Sequence, residues 1–155
     1  MTASRRNMLA HGIIAGTIGY AVVAVLFGLV DYLYGRPVYA TAAYLGARIT
    51  AAVVPAFAAT PVLAFNALHL VLMLAAGILG SRLVHRWPHA GFLPFFAFIA
   101  AVFAALIASF ALAAGLLGAA SAIDIVWINL AAAAAVTSYL LVGPVPVPRG
   151  HIDPA

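Results

Sequence analysis

Residues 62–81 read VLAFNALHLVLMLAAGILGS and carry no charged side chain. An α-helix rises 1.5 Å per residue, so about 20 such residues cover the ~30 Å hydrocarbon core of a bilayer. This stretch is therefore expected to cross a membrane as a helix. It also raises a question, because Asn66 and His69 sit one turn apart within it. At 100° per residue they share an arc with Met73, Ala76, Gly77 and Gly80, while Leu68, Val71, Leu74 and Ile78 fall outside it. The polar pair is thus expected to face protein rather than lipid.

Working outward, three more uncharged runs have the same character. The expected spans are about 8–30, 62–81, 93–117 and 122–142, which makes an all-α membrane protein, a four-transmembrane-helix bundle. Both termini are expected at the cytoplasm, because Arg5, Arg6, Arg82, Arg86 and Arg149 lie on one side of these spans against Arg36 and Arg48 on the other. Residues 31–61 form a long external interfacial loop between the first two helices. It carries Tyr32, Tyr34, Tyr39 and Tyr44, rings suited to the headgroup layer, and an interfacial helix over 41–52 capped by Thr41. Pro55 and Pro61 interrupt it before the second span. A re-entrant course for 41–60 is the alternative. Trp87, Pro88 and Gly91 mark a short turn between the second and third spans, and the tail 143–155 opens with a proline-alternating stretch that cannot continue a helix.

Composition agrees with this placement. Of 155 residues, 67% are hydrophobic and 6% charged, against about a quarter charged in soluble domains. The chain is read as one integral membrane domain, 1–155. It has no cysteine, which removes disulfides, thiolate metal sites and cysteine nucleophiles. All basic residues are arginine, and their spread over separate segments excludes a nucleic-acid-binding stripe. Ser4-Arg5-Arg6-Asn7-Met8-Leu9 resembles a twin-arginine export signal in part, but the apolar run behind it exceeds a signal h-region of roughly 7–15 residues. An uncleaved first helix is the expectation. Absence of lysine with abundant alanine fits a bacterial inner membrane.

Five polar residues are the candidates for a ligand site: Asn66, His69, Asn129, Asp31 and Asp124. Helical rise puts His69 and Asn129 at a similar ~10 Å from the outer surface, with Asp31 closing the first span and Asp124 opening the last on that side. Each has a structural reading as well. Asp124 completes a capping-box-like Ser121-x-x-Asp124, Asp31 is a boundary residue, and the asparagines and His69 suit interhelical hydrogen bonds. Gly12 and Gly16 form a Gly-x-x-x-Gly, and with Gly77 and Gly80 they are expected to pack helices closely. Ala101, Ala104, Ala108, Ala111, Gly115 and Ala119 make a further small-residue stripe.

These residues do not assemble a catalytic set, since the only acids are Asp31, Asp124 and Asp153. No enzyme activity, metal or cofactor is expected. His11 and His69 differ in depth by ~15 Å, too far apart to share one haem iron. The leading functional expectation is a small membrane interaction protein, an accessory subunit of a larger membrane complex held by its Gly/Ala faces, with lipid, other membrane subunits or further copies of itself as partners. The alternatives are an oligomeric solute or ion transporter using the outer polar cluster, and a cofactor-binding electron-transfer subunit with its cofactor between chains.

Overall fold

Among the described residues every long apolar run becomes helix, as the cost of an unpaired backbone group in lipid requires. The computed structural model describes residues 3–53, 61–87, 91–113 and 122–142. Among them are five helices: α1 (Ala3–Leu33), α2 (Ala40–Val53), α3 (Pro61–Arg86), α4 (Phe92–Ala113) and α5 (Ala122–Val142). The chain is an all-helical, multi-pass membrane protein.

Helices α1 and α3 form the centre, antiparallel and unusually close. A Cβ on Gly12 would sit 2.6 Å from Ile78 Cα, and one on Gly16 would sit 2.5 Å from the Met73 carbonyl oxygen. Gly77 packs its Cα against Gly12 and Gly16 from the other side. The register follows, with position 12 facing 78 and 16 facing 74. At one end of this pair the Ser81 hydroxyl donates to the Met8 carbonyl at 2.9 Å. Helix α5 lies across both, its Val136 against Gly19 and its Leu140 against Gly80, so it runs parallel to α3. Helix α4 brings Phe95 and Ile99 to the same Gly80 and runs opposite to α5. The core between them holds Ala15, Val23, Ile99, Ile128, Ala132 and Val136. On α3 the buried residues are Met73, Ala76, Gly77, Gly80 and Ser81, the arc that helical periodicity assigns to protein.

Two parts of the sequence expectation need correcting. Four crossings are expected, but among the described residues three helices are long and apolar enough to span a bilayer: Asn7–Leu33, Pro61–Arg86 and Asp124–Val142. The apolar run described in α4 is Phe92–Ala104, and the helix itself continues to Ala113. The end of the expected 93–117 span, from 114 on, lies outside the described residues.

The second correction concerns the start of the expected 31–61 loop, whose helix over 41–52 is present as α2. Helix α1 continues to Leu33 and ends in a Schellman turn: Gly35 at φ +66° donates its N–H to Tyr32 O at 2.9 Å, and Arg36 N–H reaches back to Asp31 O at 2.8 Å. Helix α2 follows and packs on α3, with Gly46 directly against the Pro61 backbone. Pro61 opens α3, where its missing N–H costs nothing. Residues 54–60, with Pro55, lie outside the described set.

Candidate functional site

Polar side chains occupy three separate stations along the α1–α3 pair. The first is the α1–α2 corner, built around Asp31. Its side chain is fully buried. Oδ1 accepts the Thr41 hydroxyl at 2.7 Å and lies 2.9 Å from the Arg36 guanidinium, while Oδ2 accepts the Thr41 N–H at 2.7 Å. Tyr39 holds the N-cap position of α2, since its carbonyl accepts the first helical bond, from Ala43. It has no side-chain oxygen within reach of the next turn, so Asp31 supplies the capping carboxylate from another helix, at the positive end of the α2 dipole. The boundary residue of the sequence reading is thus a buried, saturated staple, and Thr41 is the group capped rather than the cap.

The second station lies midway. The Tyr20 hydroxyl on α1 donates to Asn66 Oδ1 on α3 at 2.9 Å, and Asn66 Nδ2 donates back to Val62 O at 2.8 Å. His69 stands one turn on, its ring centre 6.4 Å from Tyr20 and 5.2 Å from Phe65. Its Nε2 is buried without a hydrogen-bonding partner.

The other two candidates stay apart from this pair. Asn129 donates to Ile125 O of its own helix at 2.7 Å, and Asp124, in the first turn of α5, accepts the Trp127 indole N–H at 3.1 Å. Ser121 lies outside the described residues. Among the described residues no hydrogen bond joins Asn129, Asp124 or Asp31 to Asn66 or His69. The outer residues therefore form separate structural contacts, with only Asn66 and His69 adjacent.

The third station sits at the opposite end, where α1 begins and α3 ends. Ser81, fully buried, bonds Met8 O through its hydroxyl and receives His85 Nδ1 on its own carbonyl at 2.8 Å. A carbonyl only accepts, so His85 donates to it from Nδ1. His11 is 1% exposed, with its ring centre 6.2 Å from His85 and 5.1 Å from Tyr139. Neither of its ring nitrogens makes a hydrogen bond of good geometry. Among the described residues no three His, Cys, Asp or Glu side chains converge.

Sequence reasoning missed Tyr20 and the His11–Ser81–His85 group. Tyr20 is four residues past Gly16, itself four past Gly12, so it shares the glycine face. Once position 16 faces 74 in an antiparallel pair, position 20 must approach 66–70. The same register brings Met8 to Ser81. The signal was present in the glycine spacing but needed the pairing of these two helices before it pointed anywhere. The glycines themselves lie where close packing needs them, Gly12, Gly16 and Gly77 at the α1–α3 crossing and Gly80 against Leu140 and Ile99. No protein-family model matches the chain, and no curated protein or solved structure matches it either.

Proposed function

We propose that this chain is a non-catalytic accessory subunit of the bacterial inner membrane, working by lateral association with a transmembrane helix of another protein. The observation that carries the reading is a division of small residues between helices. Gly12, Gly16 and Gly77 are used up inside the bundle, whereas Ala97, Ala101, Ala104 and Ala108 of α4 all point outward and are exposed. Their 4-3-4 spacing keeps them on one face, and small residues in that pattern let a second helix come close in lipid. Helix α4 meets the rest of the molecule mainly through α5, so its outer face is free to engage. The positive-inside rule favours the cytoplasm for the end that carries Arg82 and Arg86.

The test is gentle solubilisation followed by identification of chains that co-purify. Ala104→Leu should abolish co-purification while leaving thermal stability unchanged, because the side chain points away from the core. Retained co-purification of this variant would remove α4 as the contact and the reading with it.

A second reading, a solute carrier, draws support from the buried, unpartnered Nε2 of His69 beside the Tyr20–Asn66 bond. In that case His69→Gln and His69→Leu would both abolish uptake with the fold intact. A structural His69 tolerates glutamine, which keeps a donor and an acceptor.

A further inference from the structure

We propose that the outward face of α3 is a seat for one anionic phospholipid, with its phosphate held by Arg82 and Arg86 and an acyl chain lying along the helix in the leaflet at that end. This seat is separate from the α4 face of the accessory-subunit reading and independent of it. Val71, Ala75, Leu79, Arg82 and Arg86 follow one another at intervals of four, four, three and four residues. All five are exposed, Val71 at 60% and Leu79 at 41%. At about 100° per residue they fall within an arc of about 80°. Gly80, which meets Leu140 and Ile99, lies on the far side of the helix, so the stripe looks away from α4 and α5.

The stripe has the length and the polarity of one leaflet. From Val71 to Arg82 the helix rises about 16 Å, and half of a ~30 Å hydrocarbon core is about 15 Å. The apolar part thus ends where the charged part begins, one leaflet from the bilayer centre. Trp87, exposed and one residue past Arg86, adds at this end a ring suited to the headgroup layer. Ala75 stands between the larger Val71 and Leu79 and leaves a shallow course for an acyl chain.

Charge selects the headgroup. Arg82 and Arg86 are one turn apart, and side chains at that spacing leave the helix with Cβ atoms about 5–6 Å from each other, within reach of a single phosphate for two long guanidinium side chains. The Ser81–Met8 bond brings the start of α1, with Arg5 and Arg6 in its first turn, to the same end. Asp31 and Asp124 belong to the opposite end, so no carboxylate among the described residues balances these arginines. The arginines of the opposite end are differently engaged, Arg36 by Asp31 and Arg48 over the Tyr44 ring. A basic cluster directly beyond a membrane span attracts anionic lipid. A zwitterionic phosphatidylethanolamine brings an ammonium group that the same arginines repel.

The experiment is a titration of the whole, delipidated protein in detergent with dioleoyl phosphatidylglycerol, read by native mass spectrometry, beside the same titration with dioleoyl phosphatidylethanolamine. One phosphatidylglycerol per chain is expected, bound in preference to phosphatidylethanolamine. Arg82→Gln and Arg86→Gln should each weaken it roughly fivefold, and the double variant about 30-fold, the equivalent of about 1 kcal/mol per arginine near a membrane surface. Both positions are exposed, so thermal unfolding should be unchanged. Arg48→Gln, at the other end, should bind as the wild type does, and Ala75→Trp, which fills the course of the chain, should weaken binding with the arginines intact. Equal binding of the two lipids, or unchanged affinity in the double variant, would overturn the seat. Displacement of the lipid by excess inorganic phosphate would show a site for a free anion and overturn the lipid as its occupant, and unchanged affinity in Ala75→Trp would overturn the place given to the acyl chain.

Discussion

The two ends of the α1–α3 pair treat buried polarity in opposite ways. At the α1–α2 corner a single carboxylate, Asp31, has two N–H or O–H donors from Thr41 and the Arg36 guanidinium, so none of its capacity is left over. At the arginine-bearing end His11 is almost as deeply buried and has no hydrogen bond of good geometry at either nitrogen. A saturated group is a fastening, and its removal is felt by the fold. An unsaturated one costs the fold something to keep, and its removal should cost the fold little. The contrast separates structure from chemistry without reference to which residue types are involved.

The largest effect is expected at the crossing that both ends depend on. Gly16→Leu drives a Cβ into the Met73 carbonyl, a backbone group that cannot step aside, and should cost more than about 4 kcal/mol, the range of severe overpacking and backbone strain. Reversible unfolding in mixed micelles measures it. A wild-type-like transition would mean that the helices do not meet at the glycines, and the two ends would lose their common frame.

A paired experiment then tests the contrast itself. Asp31→Ala leaves the first turn of α2 and the Arg36 guanidinium without their carboxylate. Breaking a buried pair costs about 3–5 kcal/mol, and because the Arg36 side chain is 43% exposed and can turn to water, about 2–3 kcal/mol is expected here. His11→Phe should cost under about 1 kcal/mol, since it deletes unpaired polar atoms and keeps the ring. Equal losses in the two variants, read by the same unfolding assay, would erase the distinction.

The smallest effect sharpens the middle station. Tyr20→Phe removes one interhelical hydrogen bond to Asn66, and such bonds in membranes average about 0.6 kcal/mol. A loss above about 2 kcal/mol would show that Tyr20 holds more than Asn66, and would bring His69 into the same unit.

Legibility in the sequence followed the kind of information each residue carries. Gly12 and Gly16 were readable because a missing side chain states a distance directly, and the α3 arc because periodicity states a direction. Helix α5 begins and ends where hydropathy puts it, at 122–142. Asp31 was misread because its partners lie across a turn that exists only when Gly35 adopts positive φ, so Thr41 and Arg36 come within reach in three dimensions and at no recognisable spacing. The fourth expected span, 93–117, runs past the described end of α4 at Ala113. His11 and His85 give no signal one at a time. Their meeting depends on the α1–α3 register, which no single helix encodes.

The Asp31 corner also has a consequence for biogenesis. Its bonds join residues ten positions apart, whereas Ser81 reaches Met8 across 73. Contacts of low sequence separation close first, because little loop entropy stands against them. At about 5–20 residues per second, Thr41 leaves the ribosome roughly 2–8 s before Ser81. During that interval α1 and the start of α2 can close as a corner with the Asp31 charge already neutralised by Arg36, before α3 exists to cover it. The nascent chain thereby shields its only acidic side chain in the first 123 residues from lipid without waiting for the rest of the bundle.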